Sequence, residues 1–275
     1  MDPLPDQGPS DLEPSLGRCH ENFVEAFRSF ARHSPKCRIE EEAGAVRIAA
    51  GLATTAFNVV FITRPPKDPR RCIESAKEFM VREGISAWRL VAVDQAASSI
   101  ETVAKEAGLS GRGSHPGMIW RPLPEEPPRV PSMLEIRPAC TAELWETMIR
   151  VGLEGLNEGP WDPVDWVLPF DPNGRVRGYL GIVEGRPVST SLGFSHAGVG
   201  GIFFVATLPG FRGRGFGTAM TARAAMDSRD EGCDVSYLQS TREGYSVYSK
   251  MGFRHVSNYS QWLPADDSSS GTSRG

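Results

Sequence analysis

The sequence predicts an α/β fold of the mixed-sheet α+β type, arranged as two lobes. Short apolar runs typical of strands alternate with amphipathic helices that end in glycine, and this order occurs once in each half of the chain. A proline-rich stretch, 122–132, separates the halves and is predicted to be a linker. The polar ends, 1–16 and 264–275, are predicted to be disordered tails.

The first half, 17–121, is predicted to begin with a helix and to continue in βαβ order. Phe23, Phe27 and Phe30 recur at helical spacing and indicate one apolar helix face. Two later helices end at glycine, which readily adopts the left-handed conformation that closes a last turn. The predicted elements are a strand Asn58–Thr63, a helix Cys72–Glu83 closed by Gly84, a strand Trp88–Val93, a helix Ile100–Ala107 closed by Gly108, and a strand Met118–Trp120.

The second half, 133–263, repeats the order of strands and helices, which favours an internal duplication. It is predicted to start with a strand Leu134–Arg137 and a helix Ala142–Leu156 capped by Thr141. The later elements are strands Tyr179–Val183, Val188–Phe194 and Gly201–Val205, a helix ending near Asp230, a strand Asp234–Ser240, a helix Glu243–Met251 stopped by Gly252, and a closing hairpin over Phe253–Leu263.

Composition excludes several classes of protein. The net charge of −4 and the sequence pI near 5.8, with no face-wide basic stripe, give no reason to expect a nucleic-acid partner. The absence of a long apolar run and of a signal-peptide pattern predicts a cytoplasmic protein without a membrane partner. The five cysteines are scattered and form no CxxC pair, so we expect neither a disulfide framework nor a metal site.

A glycine-rich turn at Arg212–Gly217 is the strongest local signal, because an apolar strand leads into it and a helix leaves it. Glycines let the backbone approach a bulky anion, and the first N–H groups of the helix point toward that anion. The counterpart in the first half, Arg64–Arg71, contains three prolines that lack an N–H donor, so the first lobe is predicted to have lost this site. The predicted anion-binding residues are Arg212, Gly213, Arg214, Gly215, Phe216, Gly217 and Thr218.

The second half resembles the GNAT N-acetyltransferase superfamily. Arg212–Gly217 fits the R/Q-x-x-G-x-G/A signature of that superfamily, and Tyr248 with Gly252 and Phe253 looks like its Tyr-x-x-x-Gly-Phe element. The resemblance implies a splayed mixed sheet flanked by helices, with acetyl-CoA as co-substrate. It also implies transfer of an acetyl group to a primary amine of a small molecule or peptide, by direct attack in a ternary complex. The whole chain resembles tandem members with a degenerate first lobe, acting as a monomer or homodimer.

The residues around the turn receive roles from the same resemblance. The backbones of Val205, Ala206 and Thr207 are expected to pair with the pantetheine amides, and N–H groups near Thr207 to stabilise an oxyanion. Tyr248 is the candidate general acid, since a phenol of pKa ~10 can protonate a thiolate whose conjugate acid is near ~8.5. The alternative is that Tyr248 is a packing aromatic on an amphipathic helix.

The general base and the acceptor pocket stay open at this stage. Many members of the superfamily place Glu and Asn where this chain has Ser236, Gln239 and Thr241, so attack through a chain of waters is one possibility. Glu154, Glu158 and His196 are further candidates, each against a simpler surface or turn role. Trp161, Trp166 and Phe170 follow in a segment that either lines the acceptor site or packs in the core.

Two other functions compete with catalysis. A non-catalytic acyl-CoA sensor would keep the glycine-rich turn and lack the base. A nucleotide triphosphate site is the weakest reading, because the turn lacks a Gly-Lys-Ser/Thr ending and paired metal-binding carboxylates.

Overall fold

A computed structural model of the chain describes residues 13–32, 34–51, 55–156 and 175–265. In chain order the elements are α1 (Glu13–Ala31), β1 (Arg38–Glu42), β2 (Ala45–Ala49), β3 (Val59–Ile62), α2 (Pro69–Arg82), β4 (Arg89–Val93), α3 (Asp94–Glu106), β5 (Leu109–Trp120), β6 (Glu135–Pro138), α4 (Ala142–Leu156), β7 (Val176–Val183), β8 (Arg186–His196), β9 (Val199–Thr207), α5 (Phe216–Asp230), β10 (Val235–Gln239), α6 (Tyr245–Met251) and β11 (Arg254–Pro264).

The chain divides into two compact units. The larger unit holds α1 and the described residues from 116 to 257, and the smaller unit holds those from 34 to 115 together with 258–265. The strands β5 and β11 each contribute residues to both units.

The smaller unit is a mixed sheet covered by α2 and α3. The strands β1, β2 and β3 are antiparallel neighbours, β3 and β4 are parallel, and Tyr259–Trp262 of β11 run antiparallel to β4. Its core forms because the apolar faces of the two helices pack on the buried strands. Its largest buried side chains include Ile62, Ile73, Phe79, Met80, Leu90, Ile100 and Trp262.

In the larger unit the strands have the order β5, β10, β9, β8, β7, β6. Only β9 and β10 are parallel, and α5 is the crossover that joins them. Because side chains alternate along each strand, α5 packs on one face while α1 and α4 pack on the other. The contacts that show this are Gly193 with Ala224 of α5, Phe194 with Phe30 of α1, and Gly178 with Trp145 of α4.

Several sequence predictions are confirmed. The helix α4 has the predicted bounds, and the Thr141 hydroxyl accepts a hydrogen bond from the N–H of Leu144 at 3.2 Å as a cap. The helix α5 ends at Asp230, and Gly252 closes α6 with a φ of 103°. The mixed α/β sheet flanked by helices is therefore correct as a fold class.

Two predictions are wrong, and one hairpin was not predicted. The closing hairpin is one continuous strand, β11, because no turn residue interrupts 254–264 and Tyr259–Trp262 pair along β4. The tail 1–16 is too long, since α1 begins at Glu13. A hairpin was missed at β1 and β2, where Ala43 and Gly44 turn the chain with φ values of 53° and 83°.

The predicted boundaries also differ from the compact units. The helix α1 was assigned to the first lobe but packs in the larger unit, where Phe23 stacks on Phe203 at 6.2 Å between ring centroids. The predicted linker 122–132 lies within the larger unit, and Leu123 packs against its core. The assignment of two homologous lobes, and their duplication, stay predictions.

Candidate active site

The first turn of α5 offers backbone N–H groups that no group in the described part of the chain satisfies. Gly215 precedes the helix in the left-handed conformation, with φ of 78°, and no side chain caps the helix. The first helical bond runs from the N–H of Ala219 to the carbonyl of Gly215 at 3.0 Å. Within the described part of the chain, the N–H groups of Phe216, Gly217 and Thr218 therefore have no backbone acceptor, as a helix N-terminus requires for binding an anion.

The surface beside these N–H groups is open. A Cβ atom built on Gly213 or Gly217 would meet no protein atom within 4 Å, and one on Gly215 would meet only Pro131 Cγ at 3.6 Å. Gly213 and Gly215 have φ values of 74° and 78°, which a side chain would strain. At Gly217 neither backbone conformation nor protein packing calls for glycine. The first turn of α5 is therefore open to an external group such as a pyrophosphate.

The corresponding turn of the smaller unit is closed. Pro69 occupies the first position of α2 and has no N–H group, and the Asp68 carboxylate accepts from the N–H of Arg71 at 3.0 Å. Two of the donors that would hold an anion are thus absent or occupied. That only the second half keeps the site stays a prediction.

We call the glycine-rich turn and the start of α5, Gly213–Thr218, the cradle. The strand β9 bends away from β10 beside it. Its parallel pairing with β10 runs only from Val199 to Gly201, although β9 continues to Thr207. Opposite β8 the register shifts, and Phe204 adopts a φ of 53° that marks a β-bulge. The segment 205–207 therefore has no β10 partner among the described residues. This is the splayed geometry that the resemblance to the GNAT superfamily implied.

Two glycines of α4 let this helix lie directly on the bulge. A Cβ on Gly152 would come within 1.9 Å of Cε1 of Phe204, and one on Gly155 within 3.0 Å of the Ala206 Cβ. Gly152 and Gly155 are three residues apart and therefore lie on one face of the helix. The helix thus holds the aromatic ring of the strained residue and the end of β9 in one arrangement.

Arg212 links α4 to the end of β9. Its Nη2 donates to the carbonyl of Gly155 at 2.7 Å and its Nε to the carbonyl of Thr207 at 3.0 Å. Gly155 is in the last turn of α4, where carbonyl groups have no helical donor. The side chain of Arg212 is therefore engaged with the protein, and its charge remains next to the cradle.

Tyr248 lies on α6 beside α5. Its ring packs edge-on against Phe253, with 5.7 Å between ring centroids, and the side chain is half-buried against the core of the larger unit. Burial raises the pKa of Tyr248 to about 12, and the neighbouring hydroxyl of Thr221 opposes this increase. Thr221 is fully buried. Because Thr221 is one helical turn beyond Gly217 and Thr218, the phenol is next to the start of α5.

The family comparison identifies this arrangement. The model of the acetyltransferase (GNAT) family matches residues 131–253. Residues 131–253 therefore form a GNAT acetyltransferase domain. The match spans the cradle, β9 and Tyr248, and it supports acyl transfer as the type of reaction.

Solved structures share the GNAT fold with this chain at low sequence identity. A GCN5-related N-acetyltransferase from Kribbella flavida has a TM-score of 0.70 and 17% identity, covering 91% of this chain and 97% of its own. One from Sphaerobacter thermophilus has a TM-score of 0.60 and 17% identity, covering 94% and 96%. A GCN5-related N-acetyltransferase-like protein from Streptococcus suis has a TM-score of 0.53 and 15% identity, covering 93% and 99%. No curated protein matches the chain.

Candidates for a general base are spread through the GNAT unit. His196 lies at the β8–β9 turn, at the other end of β9 from Thr207, and contacts Glu21 at 3.2 Å and Arg175 at 3.0 Å. Its position excludes it from the cradle. Glu154 is exposed on α4. Glu158, Trp161, Trp166 and Phe170 lie outside the described residues.

The three polar residues predicted near the base position differ in their surroundings. Ser236 is fully buried, and Thr241 accepts a hydrogen bond from the N–H of Gly244 at 3.1 Å. Gln239 ends β10, and its Nε2 is buried without a hydrogen-bond partner. None of the three is a carboxylate, and within the described ranges no cluster of His, Cys, Asp and Glu suits a metal ion.

Sequence reasoning missed four residues that shape this site: Gly152, Gly155, Phe204 and Thr221. The two glycines carry a readable signal, because small residues three apart on a helix often permit close approach. The bulge at Phe204 has no comparable signal, since aromatic residues are common in regular strands.

No helix in the described ranges combines the length and apolar character needed to cross a membrane.

Proposed function

We propose that the chain is an acetyl-CoA-dependent N-acetyltransferase that acts on a primary amine of a small molecule or peptide, by direct attack in a ternary complex. One observation carries this proposal. The open N-terminus of α5, the β9 segment 205–207 with no β10 partner among the described residues, and the phenol of Tyr248 lie around the same end of the sheet.

The residues present fit the donor. The free N–H groups of Phe216, Gly217 and Thr218, with the turn from Arg212 to Gly215, suit a pyrophosphate. The β9 edge at 205–207, which has no β10 partner among the described residues, suits a pantetheine arm with its amide groups. Ala206 pairs with Thr190 of β8, and the carbonyl of Thr207 already accepts a hydrogen bond from Arg212, so the N–H of Thr207 is the more available partner.

Acetyl-CoA supplies the acetyl group on a thioester and leaves as a thiol. For this chemistry the chain provides N–H groups near Thr207, which stabilise negative charge on the carbonyl oxygen. Tyr248 donates a proton to the departing sulfur, and its pKa of about 12 keeps the phenol protonated throughout the physiological range. The amine must arrive neutral, because the described residues place no carboxylate on β10. The proton that its nitrogen loses as the C–N bond forms and the C–S bond breaks passes to solvent, from which Tyr248 is reprotonated.

The lack of a carboxylate on β10 favours a second function. Without a base near the acceptor, the cradle would still bind acyl-CoA, and the chain would act as a non-catalytic acyl-CoA sensor. The two functions share the donor site and differ only in turnover.

Thiol release separates them. We expect the protein to bind acetyl-CoA by calorimetry and to release free thiol when an amine panel is added. Tyr248→Phe should lower the rate by about 10- to 100-fold, the range of a lost general acid. Tyr245→Phe is the matched control, since Tyr245 is an exposed tyrosine on the same helix and should retain full activity. Tight binding with no turnover on any amine would leave the sensor, and no binding would reject both functions.

A further inference from the structure

Two arginines beside the cradle have no acidic partner in the described part of the chain. Arg186 begins β8 and Arg214 lies within the cradle turn. By contrast, Arg137, Arg150 and Arg223 of the same unit each contact a carboxylate within 2.8 Å. A guanidinium without an acidic partner is common on a protein surface. Two of them beside a predicted anion site suggest that they bind an anion.

The two guanidinium groups share one aromatic ring. The Arg186 Cζ lies 5.3 Å from the centroid of Phe211, and the Arg214 Cζ lies 5.4 Å from it. Phe211 ends the short 3₁₀ turn before the cradle, and its ring is only partly buried. Arg214 also donates to the carbonyl of Gly210 at 3.3 Å. The ring thus holds two guanidinium groups beside the cradle, each with its Cζ within 5.4 Å of the ring centroid.

The N–H groups of the cradle suit one anion, and the two guanidinium groups are available to bind a second. The N–H groups of Phe216, Gly217 and Thr218 suit the pyrophosphate, whereas Arg186 comes from the β7–β8 turn, outside the matched signature. Guanidinium groups bind phosphate oxygens with paired hydrogen bonds, and a phosphate monoester carries nearly two negative charges at neutral pH.

We propose that Arg186 and Arg214, held on Phe211, bind the phosphate monoester on the ribose of the coenzyme. This inference rests on the proposed function, because it assumes an acyl-CoA in the cradle. It makes the 3′-phosphorylated nucleotide a requirement of the donor. Acyl donors that lack this group, such as dephospho-CoA thioesters, are then poor substrates.

The test compares acetyl-CoA with acetyl-dephospho-CoA by calorimetry. We expect the unmodified protein to bind acetyl-CoA about tenfold more tightly, as one charge-assisted contact to a partly exposed phosphate provides. Arg186→Gln should reduce that preference to about twofold and leave the affinity for acetyl-dephospho-CoA nearly unchanged. Arg112→Gln is the control, because it removes an equal charge from an exposed strand residue of the smaller unit and should retain the tenfold preference.

Each other outcome overturns the proposal in a distinct way. Equal affinity of the unmodified protein for both thioesters removes the phosphate subsite and leaves the proposed function intact. Equal weakening of both by Arg186→Gln indicates a general effect of charge. A higher KM for an acidic acceptor, with the thioester preference intact, assigns Arg186 to the acceptor. Binding of neither thioester rejects the proposed function itself.

Discussion

Arg212 reaches the carbonyl of Gly155 at 2.7 Å and so ties the first residue of the cofactor signature to the last turn of α4. The same guanidinium reaches the end of β9 at Thr207. One side chain therefore fixes three parts of the site relative to one another: the cradle turn, the end of β9 and the last turn of α4. The sequence motif predicted a charge for the anion, and the structure adds a positioning role.

Removing this link should affect both stability and binding. We expect Arg212→Gln to lower the free energy of unfolding by about 1 kcal/mol, because two carbonyls lose a charged donor at a partly exposed site. The affinity for acetyl-CoA should fall by about tenfold as the turn loosens. Urea titration and calorimetry measure the two effects. Arg150→Gln, which breaks only an exposed pair with Glu146, should cost less than about 0.5 kcal/mol. An equal loss in both variants would contradict the positioning role.

Gly152 is required by the ring of Phe204. Gly152→Ala places a Cβ 1.9 Å from Cε1 of that ring, so we expect a loss of about 1–3 kcal/mol in the free energy of unfolding. Phe204→Leu combined with Gly152→Ala should recover part of this loss, because the smaller side chain leaves room. Gly17→Ala on α1 meets no atom within 4 Å and should instead stabilise the protein by up to about 1 kcal/mol. If Gly152→Ala is as stable as Gly17→Ala, the close packing of α4 on the bulge is wrong.

Two glycines of the cradle should respond in opposite ways. Gly215→Val strains a residue with φ of 78° and fills the approach to the anion, so acetyl-CoA binding should be lost. Gly217→Ala meets no protein atom within 4 Å, so it should raise stability by about 0.5–1 kcal/mol through helix propensity and change acetyl-CoA affinity only a few-fold. Thermal unfolding and calorimetry on both variants check this. Retained binding in Gly215→Val would reject the cradle as the donor site.

The sequence was informative where local chemistry decides the structure. Gly252 and Thr141 mark helix ends because backbone conformation and capping are properties of single residues. The bulge at Phe204 and the single strand β11 depend on neighbours far along the chain, such as the register with β8 and with β4, and no local signal announces them. The proline-rich stretch 122–132 was read as a linker from composition, but Leu123 packs in the core, and Arg229 donates to the carbonyl of Pro124 at 2.6 Å.

The phenol of Tyr248 should set the alkaline behaviour of the enzyme. Its folded pKa of about 12 lies above the usual value near 10, so the folded state holds the proton more tightly than the unfolded chain. Stability from this group is fully present below about pH 10 and decreases as the pH rises toward 12. Activity should rise with pH as the acceptor amine loses its proton and then level off, without a decline between pH 8 and 10, because Tyr248 stays protonated there.

Rate profiles for the unmodified protein and Tyr248→Phe, measured on one amine, test this behaviour. The variant should be slower by about 10- to 100-fold and keep the same profile shape up to pH 10. A decline centred near pH 9 that disappears in Tyr248→Phe would show that the phenol ionises far below its expected range. Unfolding at pH 11 adds an independent measure, since Tyr248→Phe should lose less stability between pH 9 and 11 than the unmodified protein, because it lacks the ionising phenol.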